Sequence, residues 1–221
     1  MDSLSRWGRL AVCLGLVAMP AAGLAQTAAS GQEPSPPPGQ TAEQPGPNAE
    51  AFIQNLGDRA LAIIADKSLS RTQRTERYGA ILRASFDLQT LGRFVLGRSW
   101  RTLTPEQHAD YMKLFEALVV KIYGGQLNFY QGEGFRVKKA RQEDEKDFVV
   151  TSEIAHPGEA PPTQVDWRVR KRAGGLAVID VVVEGVSQSV AQRQEYAAII
   201  RRDGGKIDGL LEAMRQRLQE E

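Results

Sequence analysis

TPEQHADYMKLFEALVVKIY, residues 104–123, is the stretch of sequence from which the fold can be worked out. Thr104 is suited to cap a helix, Pro105 suits the first helical position, and Gln107 can complete a reciprocal capping box with Thr104. The apolar residues that follow recur at i, i+3 and i+4 spacing: Tyr111, Leu114, Phe115, Leu118, Val119, Ile122 and Tyr123. This pattern predicts an amphipathic helix that lays one apolar face against the rest of the domain.

Three further helices are predicted upstream of this one. The first begins near Ala51 and repeats apolar residues on one face, and the second covers about residues 71–84. The third is short, because Asp87 is suited to cap its start and Gly97 to end it. The region from about 51 to 130 is therefore predicted to be helical.

Downstream of Gly134 the apolar period changes from helical to two, which is typical of strands. One strand is expected around residues 148–154, and the next puts Val165, Trp167 and Val169 on one face and charged residues on the other. A turn at 172–175 leads into residues 176–183, which are apolar on nearly both faces. Strands joined by short turns predict an antiparallel sheet.

Two more helices, at about 189–202 and 207–218, close the chain. Helices, then strands, then helices predict an α+β domain with an antiparallel sheet of about four strands between N- and C-terminal helices. No internal repeat interrupts this order.

The N-terminal 50 residues divide into two segments that are predicted to lie outside this domain. Residues 1–25 combine two arginines, a short apolar run and a small-residue ending, which is typical of a secretory signal peptide cleaved near Ala25. Acylation at Cys13 is the alternative, but bulky Val12 disfavours it. Residues 26–50 are rich in Pro, Gln and Gly and predict a disordered leader, which leaves residues 51–221 as the folded domain.

The charge balance disfavours nucleic acid as a partner. Removing residues 1–25 takes two basic residues and one acidic residue from totals of 28 and 27, so the mature chain has 26 of each. Binding to nucleic acid depends on clustered Lys and Arg that neutralise phosphates. Cys13, the only cysteine, leaves with the signal peptide, so thiol chemistry is not expected either.

A search for catalytic groups finds few candidates. His108 and His156 each lack a second ligand at metal spacing, so no metal site is expected. Asp180 and Glu184, on and after an apolar strand, are the most notable acids: burial could raise the pKa of either, or an acid there could pair with Arg168 or Arg170 across the sheet, which we favour. Neither a phosphate-binding glycine loop nor a Gly-x-Ser-x-Gly elbow is present.

The apolar faces of these helices and strands are compatible with two interiors. They can meet in an ordinary aliphatic core, which the residues alone favour, or they can enclose a cavity for an apolar ligand.

Several spaced motifs carry a resemblance to a known family. In chain order they are FDL (86–88), RFVLGRSWR (93–101), TPEQ (104–107), VIDVVVEGVS (178–187), YAAIIR (196–201) and GLL (209–211). With these motifs the sequence from about Phe52 to Leu218 resembles the MlaC family, also called the toluene-tolerance family, whose members are periplasmic phospholipid carriers.

The resemblance implies a twisted sheet wrapped by helices around a deep apolar pocket that receives the acyl tails of a phospholipid. It implies a carrier without cofactor or enzymatic activity that maintains the lipid asymmetry of the outer membrane. The implied partners are an inner-membrane complex of an MCE-domain protein, a permease and an ATPase, and an outer-membrane lipoprotein complex.

On this interpretation the apolar faces described above line the pocket. The hypothesised lining residues are Phe94, Val95, Tyr111, Leu114, Phe115, Leu118, Val119, Ile122, Tyr123, Val165, Trp167, Val169, Val181, Val183 and Ile200. Two alternatives remain open. One is a small-ligand binding protein or hydrolase on a cone-shaped α+β fold, with Asp180 or Glu184 as the working acid, and the other is a carrier of a different envelope lipid such as a hopanoid.

Overall fold

The computed structural model describes residues 48–126, 134–156, 158 and 161–220 of the chain. The predicted signal peptide and nearly all of the predicted leader lie outside these described residues. The first helix, α1 (Ala49–Ala65), begins two residues before the predicted domain start, because the Asn48 side chain accepts a hydrogen bond from the backbone N–H of Ala51 at 3.0 Å. No helix within the described ranges is both long enough and apolar enough to cross a membrane.

Three more α-helices and a short 3-10 helix complete the N-terminal half. They are α2 (Arg71–Ser85), α3 (Leu88–Leu96), the 3-10 helix (Gly97–Thr102) and α4 (Pro105–Gln126). The predicted caps are confirmed: Asp87 accepts from the backbone N–H of Thr90 at 3.0 Å. At the start of α4 the reciprocal hydrogen bonds of Thr104 and Gln107 measure 3.1 and 3.2 Å. The 3-10 helix was not predicted.

The second half of the domain contains an antiparallel sheet followed by two helices. Its elements are β1 (Gly134–Gln142), β2 (Asp147–Ala155), β3 (Thr163–Arg172), β4 (Gly175–Val183), β5 (Val186–Ser187), α5 (Gln188–Arg202) and α6 (Asp208–Gln219). The strands lie in chain order and each pair is antiparallel. The predicted α+β class is confirmed, and the sheet has five strands because the two-residue β5 extends it.

One face of the sheet packs against α1. Val150, Val169 and Val178, from three neighbouring strands, have no exposed surface and meet α1 residues such as Ile53. Gly57 of α1 allows this close approach, because a Cβ there would lie 2.2 Å from a ring carbon of Phe135.

Strand β1 is an edge of the sheet, and α1 covers it. The backbone N–H of Val137 donates to Oε1 of Gln54 at 3.1 Å, and that of Ala140 donates to Oε1 of Glu50 at 2.6 Å. Side chains of α1 therefore satisfy edge N–H groups that would otherwise point to solvent or to another strand.

A second apolar cluster lies among the helices around α4. Tyr111 has no exposed surface, and its hydroxyl donates to the carbonyl oxygen of Gly92 in α3 at 2.9 Å. The Tyr111 ring stacks on Phe115 at 5.8 Å and meets Tyr196 of α5 edge-on at 6.4 Å. Lys121 of α4 donates to carbonyl oxygens at the end of α6, including that of Leu218 at 2.9 Å, so it caps the last helix.

Candidate functional site

The hypothesised lining residues fall into three groups when their exposure is compared. The buried group comprises Val95, Tyr111, Leu114, Phe115, Leu118, Val165, Val169 and Ile200. The half-buried group comprises Val119, Ile122, Tyr123, Trp167, Val181 and Val183. Phe94 alone lies at the surface, with 41% of its area exposed. The half-buried members of the hypothesised lining thus come from the C-terminal half of α4 and from β3 and β4.

The strand part of this half-buried group borders the apolar cluster that contains α1, because Trp167 and Val181 pack against that cluster. Trp167 lies opposite Val181 in the β3–β4 register, and Val165 lies opposite Val183. The indole N–H of Trp167 donates to Oγ of Ser152 at 2.9 Å, and Ser152 in turn donates to the carbonyl oxygen of Val165 at 3.2 Å. Because the indole N–H is already bonded, the ring can meet a hydrocarbon ligand without leaving a donor unpaired.

The helical part of the group includes Tyr123, which lies near Tyr78 of α2. Burial, with the Asp180 carboxylate as a second cause, raises the pKa of Tyr123 to about 12. Burial, followed by the influence of Tyr123, also raises the pKa of Tyr78. Both tyrosines nevertheless remain half-buried by accessible surface.

Tyr78 is not among the lining residues that we hypothesised from the sequence. Helix α2 is dominated by charged and polar residues, so its inward face is weakly marked. The available signal was the spacing of Tyr78, Ile81 and Leu82, which fall at i, i+3 and i+4. The last two are buried, as that spacing predicts.

The carboxylate of Asp180 ties β4 to the start of α5. Its Oδ2 accepts from the Ser187 hydroxyl at 2.6 Å, and its Oδ1 accepts from the backbone N–H groups of Ser189 at 3.1 Å and Val181 at 2.9 Å. The predicted pairing of Asp180 with Arg168 or Arg170 is wrong, because donors at the N-terminus of α5 already surround the carboxylate.

The two arginines pair with other acids. Arg170 makes a two-pronged ion pair with Asp147, at 2.7 and 2.5 Å, and Arg168 contacts Glu143 at 3.2 Å. Glu184 accepts from the backbone N–H of Gln164 at 2.6 Å. The acids singled out in the sequence thus serve as hydrogen-bond acceptors within the fold.

The two histidines also have structural partners. His108 stacks on Trp100 with ring centroids 4.3 Å apart, and its Nε2 lies 2.8 Å from the carbonyl oxygen of Trp100. His156 Nε2 lies 2.8 Å from the Thr163 hydroxyl. Within the part of the chain that the structure describes, no three His, Cys, Asp or Glu side chains are arranged to hold a metal ion.

The chain is similar in sequence to a family of known proteins. A family model described as MlaC protein matches residues 54–216. Two curated relatives are similar: the toluene tolerance protein ttg2D of Pseudomonas putida, 27% identical over 109 residues, and the intermembrane phospholipid transport system binding protein MlaC of Haemophilus influenzae, 24% identical over 133 residues. These alignments cover 49% and 59% of this chain, and the chain spans 50% and 61% of the two relatives' lengths.

A solved structure is similar over a larger share of the chain. It is a phospholipid-binding protein from Ralstonia solanacearum in complex with a phospholipid, with a TM-score of 0.68 and 26% sequence identity. The match covers 77% of this chain and 96% of that protein.

Proposed function

Because this chain belongs to the MlaC family, we propose that it is a periplasmic phospholipid carrier that moves lipid between an inner-membrane and an outer-membrane complex. The observation that carries the proposal is the likeness to the Ralstonia solanacearum protein, which extends over almost the whole of that lipid-bound chain. The relative from Haemophilus influenzae, named for intermembrane phospholipid transport, supports the same role.

The physical need for such a carrier follows from the cost of exposing an acyl chain to water. Each buried methylene contributes about 0.8 kcal/mol, so a chain of roughly 15 methylenes costs on the order of 12 kcal/mol to expose. A carrier lowers this cost by surrounding the chain with aliphatic and aromatic walls. It needs no catalytic group for that task.

We infer that the acyl tails contact the half-buried residues of α4, β3 and β4, together with Tyr78. Val119, Ile122 and Tyr123 would contribute from the helix, and Trp167, Val181 and Val183 from the sheet. The buried residues, such as Leu118 and Val169, would support these walls from behind. These side chains keep accessible surface that a ligand can contact, whereas the fully buried residues do not.

Release of so apolar a ligand requires partners that deform the pocket. The inner-membrane complex with its MCE-domain protein, permease and ATPase, and the outer-membrane lipoprotein complex, are the partners that fit this role. The direction of transport between them is a separate question, which reconstitution with both complexes addresses.

The experiment is native mass spectrometry of the protein purified from cells, comparing wild type with Val119→Arg. Wild type is expected to carry the added mass of phospholipid, and extraction identifies its class. The charged guanidinium at position 119 would have to be buried against acyl tails, so Val119→Arg is expected to lose the lipid with its far-ultraviolet circular dichroism unchanged.

Val186→Arg is the matched control, because Val186 is 55% exposed and an arginine there remains in water. It should keep its lipid. Leu118→Arg is a poorer test, because Leu118 is only 5% exposed and the substitution would destabilise the helix packing itself. A wild-type protein found only at its unliganded mass counts against the carrier, whereas lipid retained by Val119→Arg counts only against the assignment of the lining.

A further inference from the structure

A groove with four arginines lies on the surface formed by α3, the 3-10 helix and α5. Its volume is about 510 Å³, and it is lined mainly by Arg93, Phe94, Arg98, Trp100, Arg101 and Arg193. We refer to it as the arginine groove. Thr90 and Gly97 complete the lining, so no acidic residue contributes to it.

No ion pair with a described residue neutralises the positive charge of the arginine groove. All four arginines are exposed, and none of their guanidinium groups forms an ion pair with any residue of the described ranges. Elsewhere Arg83, Arg168 and Arg170 all pair with acids. Four like charges in one groove repel one another, and an anionic partner would remove that repulsion.

Part of the groove is held ready for a ligand. The Arg193 guanidinium lies over the exposed Phe94 ring, 5.1 Å from its centroid. Gly97 makes room for it, because a Cβ at that position would lie 3.0–3.2 Å from the guanidinium atoms. Gly97 also has φ of 62°, a conformation that glycine adopts without strain. A guanidinium that is already positioned loses less conformational entropy on binding.

The chemistry of the groove selects the class of partner. Its cations are all arginines, whose planar guanidinium groups bind carboxylates with two parallel hydrogen bonds. The groove is concave, so a protruding helix or loop can contact more of its lining than a flat bilayer surface can. Phe94 and Trp100 add an aromatic surface of the kind found at the centres of protein interfaces.

The geometry points to a docking site for a protruding acidic segment of a protein partner. This inference rests on the proposed function in one respect, namely that the partner is one with which lipid is exchanged. Arg98 and Arg101 are the residues of choice for a test, because both are exposed and their guanidinium groups form no ion pair with any described residue.

The test compares Arg98→Gln/Arg101→Gln with the control Arg136→Gln/Arg172→Gln, which removes two exposed arginines of β1 and β3 that form no ion pair with a described residue. Binding of the soluble MCE domain and of the outer-membrane lipoprotein to each full-length mature protein is measured at low and at physiological salt. The groove variant is expected to bind at least one partner at least tenfold more weakly at low salt, and less so at higher salt. The control should change less than twofold.

Equal weakening in both variants, unchanged binding, or absence of binding by wild type would each overturn the docking site. Two further measurements exclude other occupants. Reduced binding to phosphatidylglycerol vesicles with unchanged protein binding would assign the groove to a membrane, and self-association lost only in the groove variant would assign it to a second copy; both outcomes overturn the inference. Lipid content, measured in the same samples by native mass spectrometry, reports separately on the proposed function.

Discussion

At the scale of single residues, Asp180 illustrates how a buried acid can be structural rather than catalytic. It is 6% exposed, and its two oxygens accept three hydrogen bonds, two of them from the residues that begin α5. Its place on an apolar strand marks it in the sequence, because a buried acid needs a hydrogen-bonding or charged partner. The identity of that partner depended on the tertiary contact between β4 and α5, which no local pattern in the sequence reveals.

Asp180→Asn separates the carrier from the hydrolase alternative. The amide keeps one acceptor but loses the charge that strengthens the bonds to Ser187 and Ser189, so the free energy of unfolding is expected to fall by about 1–2 kcal/mol. Bound phospholipid should remain, as seen by native mass spectrometry. Asp110→Asn, which removes a surface pair with Arg215, should cost less than about 1 kcal/mol. An unchanged unfolding midpoint for Asp180→Asn would contradict the structural role.

Tyr123 gives the stability of the protein a dependence on alkaline pH. Its pKa in the folded state, about 12, lies above the value of 10.0 for an unperturbed tyrosine, so folding favours the neutral phenol. The corresponding stability is complete below pH 10 and is lost as the pH rises towards 12. Burial also raises the pKa values of three other tyrosines, Tyr78, Tyr111 and Tyr196.

Tyr123→Phe should therefore reduce the loss of stability between pH 10 and 12 by about 2 kcal/mol, since one pKa unit corresponds to about 1.4 kcal/mol. Urea unfolding at several pH values measures this directly, and phenolate absorbance reports the ionisation. If the variant and wild type lose stability in parallel over that window, the tyrosine is not protected by the fold.

At the scale of elements, the helices were predictable and β1 was not. The caps at Asp87, Thr104 and Gln107 act within one turn of the chain, so their sequence signal is local and the structure confirms it. Strand β1 carries four cationic residues, and a bulge between Val137 and Lys139 shifts the alternation of its side chains. Its strand identity comes from pairing with β2 and from the cover supplied by α1, both of which are tertiary.

Gly57→Ala tests the contact between α1 and β1. Alanine favours the helix by about 1 kcal/mol, but its Cβ would lie 2.2 Å from the Phe135 ring, and overpacking of that kind costs about 1–3 kcal/mol. A net loss of stability is expected, and Phe135→Leu in the same chain should recover part of it. The matched control is Gly124→Ala in α4, where the nearest atom is 3.5 Å away and a net gain is expected. Thermal unfolding of the variants decides between these outcomes.

At the scale of the whole molecule, sequence patterns predicted which residues face inward but not how each one is packed. Tyr111 and Val119 lie on the same predicted stripe of α4, yet the first has no exposed surface and the second is half-buried. The difference depends on which helices cover each end of α4, since Tyr111 meets α3 and α5 whereas Gly124 lies beside α2. Overall neutrality likewise hides the arginine groove, because a net charge carries no information about position.

The cover that α1 provides over β1 also bears on how the protein behaves at high concentration. A bare nine-residue edge strand is a template on which further chains can add, ending in ordered aggregates. The side chains of Glu50 and Gln54 accept hydrogen bonds from two N–H groups of β1, although they lie more than 80 residues earlier in the chain. The edge is therefore protected only after α1 has packed against β1. Proteolysis that removes α1 would therefore uncover this edge and make the domain prone to polymerise.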